Sequence, residues 1–583
     1  MIGLLVALAL LLAGCVNVPT SGPIDKVEGQ EPTCQNCVNV EVAPPAAGDE
    51  PGQIVEGYLR ATSNYQPNYS VARQFLSKSA AATWSPDAGA TIYRGSPTAD
   101  GSTVALVGTL VGFLAKDRTY TARDQDLKIN FGVVRENGEW RISKPPPGLM
   151  VAEYSFLSFY QAYELYFIGN GRALVPDPIY LPKLRNPSQV SSALVKALLT
   201  GPSKWLAPVV TTSLPPGTTL TGDSVTINNG IADVPLSGDA VLALSDGDRT
   251  LLAAQVVYTL EQVVGIKGVR FFANQQPFRV PGSDPATQAV AINAVSPDLD
   301  PIPFVAAEQL YAVPKSNSVL QISANADQST ATKVPGALGQ GLYDVDSLAV
   351  SISNTDLAVV TDDRTVLRRA PTSAPTSASG QTSVLLSGVS DLLRPQFTRF
   401  GEVWAVEGRA GEQRMWVFGE EQVEVDASTI TTGGSIKAFK ISPDGSRMAI
   451  IRRTGNTTQL GLARINRAEV KKVTVDGWRA LNTAQSNLTQ VTKMADVAWL
   501  DATHLLVLGA VTADASLGPV EINQDASQIT AQGQANQWDA VEVTVLLRTQ
   551  TALVVGRGGQ TYKDDGNQWQ PFLDNIKTLA YPG

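Results

Sequence analysis

The stretch IKAFKISPDGSRMAIIRR, residues 436–453, decides the reading of the second half of the chain. Ile436, Ala438 and Phe439 lead into Ser442-Pro443-Asp444-Gly445, and Met448-Ala449-Ile450 begin the return. Pro443 presets its own φ and Gly445 tolerates a positive one, so the segment closes a β-hairpin at little strain. The plan recurs in MADVAWLDATHLLVL, residues 494–508, with Asp501-Ala502 in the turn. Apolar strand centres of this kind stand at Leu310–Val313, Leu357–Val360, Val403–Val406, Met448–Ile450, Leu505–Leu508 and Ala552–Val555. Most intervals are about 45 to 50 residues, the length of a four-stranded propeller blade. A β-sandwich would supply strands but not this period. The expectation is an all-β propeller, with six blades.

Upstream of residue 300 the texture is α+β. In residues 174–282, Val190, Leu194, Val195 and Leu198 share one face of a helix that stops at Gly201-Pro202. Leu252, Val256, Leu260 and Val263 mark a second helix, ending at Gly265. SVTINNGIADVPL turns at Asn229-Gly230, and VRFFANQQPFRV reads as strand, turn and strand. Nearer the start, Ile54, Val55, Tyr58 and Leu59 have helical spacing. A further helix is expected in SVARQFLSKSAAATW, with Val71, Phe75 and Leu76 on one side. Strand-like TIYRG, STVALVGTLVGFL, LKINFGVV and EWRIS follow, and Pro145-Pro146-Pro147-Gly148 ends the block. The aromatic run YSFLSFYQAYELYFIG at 154–169 lacks the basic face of a membrane helix and reads as core packing that joins domains.

At 583 residues the chain exceeds one hydrophobic core, and 43% hydrophobic with 17% charged residues describes folded domains. The expected partition is a signal peptide at 1–14, a flexible tether at 15–50, α+β domains at 51–150 and 151–285, and the propeller at 300–583. Lys and Arg number 45 against 54 Asp and Glu, a formal charge of -9. Without basic clusters, such a chain is a poor partner for nucleic acid.

The chain opens MIGLLVALALLLAGCVNVPTSG. Ile2–Ala13 has the length of a signal-peptide core and is short for a bilayer span. It ends in Leu12-Ala13-Gly14-Cys15, which resembles the bacterial lipobox. That resemblance implies cleavage before Cys15, an S-diacylglycerol on its sulfur and an N-acyl chain such as palmitate on its amine. The protein would then be lipid-anchored at the extracytoplasmic face of the cell membrane. No Lys or Arg precedes the apolar run; either the true start lies upstream of Met1, which the completeness of the rest of the signal favours, or the signal is a weak one. Cys34 and Cys37 remain, spaced C-x-x-C in PTCQNCVNV. They read as a local disulfide or as two idle thiols, since no other cysteine completes a metal site.

Candidates for catalysis are few. His504 is the single histidine, and any Ser-His-Asp relay or histidine zinc site would have to use it. Its place in DATHLLVL makes it a surface or turn residue. No G-x-S-x-G elbow, phosphate loop or H-E-x-x-H is present. Asp362-Asp363, Asp564-Asp565 and Asp344 with Asp346 could furnish a carboxylate pair for glycoside hydrolysis or a calcium loop, but read first as hairpin turns. No catalytic residue, cofactor or metal is expected.

Ala197–Pro202 (ALLTGP), Leu214–Thr218 (LPPGT) and Val257–Leu260 (VYTL) together resemble the GerMN module, which implies a non-catalytic binding or scaffolding unit. The block before it looks like the cone-shaped NTF2-like fold. In this order, with LLAGC at 11–15, ARQFLSKSAAATWSPDAG at 72–89 and SPDGSRMA at 442–449, the whole chain resembles the actinobacterial LpqB lipoprotein family. The resemblance implies an accessory of the MtrA-MtrB two-component system that contacts the extracellular domain of the sensor kinase MtrB and affects cell-wall homeostasis and division. The alternative is an envelope scaffold, or a lipoprotein that binds a cell-wall-derived ligand, without direct kinase control. Cys34 and Cys37 lie outside the recognisable pattern.

Overall fold

The computed structural model describes residues 42–583, apart from 102, 306, 324–329, 374–381, 470, 485–490, 513–514, 533–538, 565 and 567. Cys15, Cys34, Cys37 and Asp565 therefore lie outside the described residues.

Helix α1 (Pro51–Ser63) starts where the sequence offers a capping box: Glu50 and Gln53 exchange side-chain and backbone hydrogen bonds, and Pro51 takes the first helical position. Its buried face, Ile54, Val55, Tyr58 and Leu59, packs on a five-stranded sheet of order β4-β3-β2-β1-β5. These strands are β1 (Ala90–Asp100), β2 (Thr103–Leu114), β3 (Tyr120–Glu136), β4 (Glu139–Lys144) and β5 (Leu149–Ala152). β5 runs parallel to β1, and the other pairs are antiparallel. The single helix expected after α1 is two, Ser70–Gln74 and Lys78–Thr83. The break has a cause: Ile142 N donates to Phe75 O at 2.9 Å and Ser77 N to Ile142 O at 2.8 Å, so these residues bond to β4 instead of continuing the helix. Ser77 Oγ then caps the second piece by accepting from Ala80 N at 3.3 Å.

The aromatic run begins as a short helix, Glu153–Phe159, and continues as β6 (Tyr160–Gly169), antiparallel to β7 (Leu174–Pro182). Helices α2 (Pro187–Thr200) and α3 (Asp246–Leu260) pack beside this pair. A second sheet carries β8 (Thr226–Asn228), β9 (Ile231–Leu236) and β10 (Gly268–Ala273). β8 and β9 are antiparallel across Asn229-Gly230, while β9 and β10 are parallel with α3 as the crossover. α3 also satisfies the outer edge of β6 with side chains. Gln262 accepts from Glu164 N and donates to Glu164 O, both at 2.8 Å, and Gln255 Nε2 donates to Tyr166 O at 2.9 Å. Thr259 Oγ1 accepts from Tyr166 N at 3.2 Å, so two polar residues of α3 and Gln262, in the turn just after it, take the place of a strand along this part of the edge.

From Gln309 to Ala580 the chain forms six four-stranded antiparallel sheets among the described residues, here I to VI in chain order. Each apolar strand centre read from the sequence falls in a different sheet. Sheet I draws its fourth strand, Ile576–Ala580, from the far end of the chain, paired with Gln309–Pro314. Sheet IV contains the hairpin Ser435–Ile441 and Arg447–Thr454, and sheet V the hairpin Lys493–Trp499 and His504–Ala510. Met448, Ile450, Leu505 and Val507 are fully buried between sheets.

Candidate functional site

The three regions meet at a cleft of about 890 Å³, walled by the Ala115–Thr121 turn, by β7 with the end of α2, and by Arg479, Gln524 and Asp525 of the β-rich region. The wall from α2 follows from its stop signal. Gly201 ends the helix at φ +96°, a conformation open to glycine, and the chain turns through Pro202 into Ser203-Lys204-Trp205. Asp177 on β7 fixes this loop by accepting from Ser203 N at 2.6 Å. Burial pushes the Asp177 carboxyl above its ordinary range, and the Ser203 hydrogen bonds oppose that.

Trp205 is the hinge-pin of the junction. Its Nε1 donates to Gly477 O at 2.7 Å, Arg464 Nη1 donates to its carbonyl at 2.9 Å, and the Arg479 guanidinium lies 4.4 Å over its ring. Tyr180, at the end of β7, donates to Asp525 Oδ2 at 3.0 Å, and its hydroxyl also bonds Ser527 Oγ. Beneath these contacts Arg447, fully buried, pairs with Asp444 at 2.5 Å, bonds Gln524 Oε1 and donates to Ala502 O at 3.0 Å. The Ser442–Gly445 turn and the Asp501-Ala502 turn thus sit under the α+β module.

His504 belongs to this junction: expected as a surface or turn residue, it opens the strand His504–Ala510 directly after the Asp501–Thr503 bend, with its side chain about one-third exposed. Burial works against its charge, but Asp501, 2.8 Å from Nδ1, and the more distant Glu521 and Glu164 hold the imidazole above its ordinary pKa. Asp501 is depressed despite burial, because His504 and the Thr503 and His504 backbone N–H groups bond it. Glu164 faces the same network from β6. Burial, with Asp525 next in effect, pushes its pKa up to about 8, and its Oε2 is buried without a hydrogen-bond partner.

Of the acidic pairs expected in hairpin turns, Asp362-Asp363 stands in one, whereas Asp346 lies within the strand Val345–Val350 and Asp564 ends the strand Thr561–Asp564. Asp362 and Asp363 take φ of +59° and +54°, with Asp362 paired to Arg368 at 2.9 Å. Asp344 pairs with Lys577 at 2.6 Å, and Asp346 accepts from Arg364 N at 3.0 Å. Among the described residues no group of three or more His, Cys, Asp or Glu side chains could hold a metal ion, and no helix is long and apolar enough to cross a membrane. Sequence reasoning missed Glu164, Trp205, Arg479 and Gln524. Two left a trace: Glu164 is the lone charge between Tyr154 and Gly169, and Trp205 follows a Gly-Pro helix stop.

Three family models match in succession. "Lipoprotein LpqB, N-terminal domain" covers residues 44–157, "Sporulation and spore germination" 164–278 and "Lipoprotein LpqB beta-propeller domain" 318–582. The chain is 29% identical to Lipoprotein LpqB of Cutibacterium acnes, over 98% of each chain. It is 27% identical to Lipoprotein LpqB of Streptomyces coelicolor, over 98% of this chain and 96% of that one. With Lipoprotein LpqB of Mycolicibacterium smegmatis the identity is 26%, over 77% of each. Matched region by region and end to end, the chain belongs to the actinobacterial LpqB lipoprotein family, as a non-catalytic accessory lipoprotein anchored at the extracytoplasmic face of the membrane.

Proposed function

We propose that the protein is a lipid-tethered accessory of the MtrA-MtrB two-component system, presented by acylated Cys15 and the 15–50 tether to the extracellular domain of the sensor kinase MtrB. Modulating that kinase, it would act on cell-wall homeostasis and division. The observation that carries the reading is the match to LpqB proteins in domain order and over nearly the whole length. Tethering contributes by confining the protein to the plane of its partner, which raises effective concentration without new contacts.

The finer architecture belongs to the same proposal: an NTF2-like block at 51–150, a GerMN-like domain at 151–285 and a six-bladed β-propeller at 300–583, with Cys34 and Cys37 as a local disulfide or idle thiols. Closure of the propeller is supported by the strand Ile576–Ala580, which pairs with Gln309–Pro314 and lies against both Val345–Val350 and Ala540–Leu546. Crosslinking in intact membranes tests the partner. Native protein should recover MtrB and Cys15→Ala should not; recovery by neither would move the function to an envelope scaffold with another partner.

A further inference from the structure

Five cationic side chains line the cleft, Lys116, Arg118, Lys196, Lys204 and Arg479, in a protein whose formal charge is -9. Two are paired outside it: Arg118 with Asp87 at 3.4 Å and Lys196 with Asp223 at 3.2 Å. Lys116, Lys204 and Arg479 have no carboxylate within 4 Å among the described residues, and each comes from a different one of the three regions; Arg479 Nη2 donates to Gln524 O at 3.1 Å, and Asp525 and Asp177 act on its charge from farther off. The carboxylates of the cleft are already engaged. Asp117 accepts from Thr119 N at 3.1 Å and Thr119 Oγ1 at 2.7 Å, Asp177 from Ser203 N, and Asp525 from Tyr180 and, at 2.9 Å, Ser527 N.

A second observation points the same way. Arg479 Nε and Gln524 Nε2 are buried donors with no acceptor in the protein, and Gln524 is only 3% exposed. A buried donor left unpaired is costly, and a buried cation more so; an acceptor carrying negative charge offsets both. Beside them the cleft is apolar, lined by Leu165, Ile179, Leu181, Ala197, Leu206 and Trp205. Its volume is that of sites that enclose a small organic molecule.

We propose that the junction cleft binds a small amphiphilic anion, a carboxylate or phosphate monoester on an apolar body. The acid group meets Arg479 at the floor and Lys116 and Lys204 at the rim, while the body lies along β7 and the end of α2. Because its walls come from three regions, an occupied cleft also braces them against one another. This binding does not depend on the kinase reading.

The test uses the full chain with its anchor in phosphatidylcholine nanodiscs, with empty discs subtracted. Calorimetric titration compares 4-phenylbutyrate and 1-naphthyl phosphate with 4-phenylbutan-1-ol and 4-phenylbutylamine. At least one anion should bind ten-fold or more tighter than the alcohol and the amine, and added salt should weaken it. Tighter naphthyl phosphate assigns the natural head group to phosphate, tighter phenylbutyrate to carboxylate. Lys116→Gln with Lys204→Gln, both exposed and harmless to folding, should lower anion affinity about ten-fold, and Arg479→Gln should lower it further. Anions that bind no better than the alcohol, or rim variants with native affinity, would overturn the proposal.

Discussion

Replacing Glu164 by Gln is expected to stabilise the protein increasingly as pH rises. The Glu164 carboxyl is pressed into the junction between β6 and sheets IV and V. Burial, then Asp525, raises its pKa from 4.5 to about 8; Asp177 adds to the shift, and Arg447 and His504 oppose it. An acid whose folded pKa is raised gives its full stabilisation below the unfolded value, here 4.5, and loses it as pH climbs through about 8. Each unit of that interval is worth roughly 1.4 kcal/mol, so the penalty at neutral pH is on the order of 3 kcal/mol. Gln does not ionise and keeps the two hydrogen bonds between the residue 164 backbone and Gln262. Urea unfolding of both proteins at pH 5 and pH 8 reads the effect. The difference between them should widen in favour of Glu164→Gln by about 3 kcal/mol across that range. Parallel pH profiles would refute the burial of an ionisable Glu164.

Arg447→Met should cost about 3–5 kcal/mol in the same assay, because Asp444, fully buried, then loses its counter-charge. Gly171→Ala places a Cβ 2.3 Å from the Phe400 ring at a φ of +76°; a loss of about 1–3 kcal/mol is expected in thermal unfolding, partly restored when Phe400→Ala is added. Deleting residues 576–583 removes the strand that pairs with Gln309–Pro314, and calorimetry should then show the β-rich region melting earlier and in more than one step.

Period and punctuation made most of the architecture legible. One apolar strand centre marks each of sheets I to VI, and the helices at Val190–Leu198 and Leu252–Leu260 announce themselves by spacing; the first stops at Gly201 as expected, while the second ends at Leu260, short of Val263 and of the expected stop at Gly265. The break at Phe75–Ser77 was not legible, because its cause, a bridge to Ile142, lies more than 60 residues away. The junction was hidden for the same reason. Asp444 reads as a residue of a hairpin turn and Arg447 as the start of the return strand, yet both are fully buried and paired there, and Tyr180 reaches Asp525 across 345 residues. Gln255, Thr259 and Gln262 look like the polar face of a helix and instead complete a sheet edge. Such long-range polar pairings leave no local pattern, which is also why the cleft appears only in three dimensions.

The measurement closest to the proposed role reconstitutes MtrB in vesicles, adds the acylated protein to the face that carries the sensor domain, and follows phosphate transfer to MtrA. The transfer rate should change with the acylated protein, and the change should fall at least ten-fold with Cys15→Ala at equal bulk concentration. Equal rates with acylated protein, with Cys15→Ala and with neither would contradict a tethered modulator of this kinase.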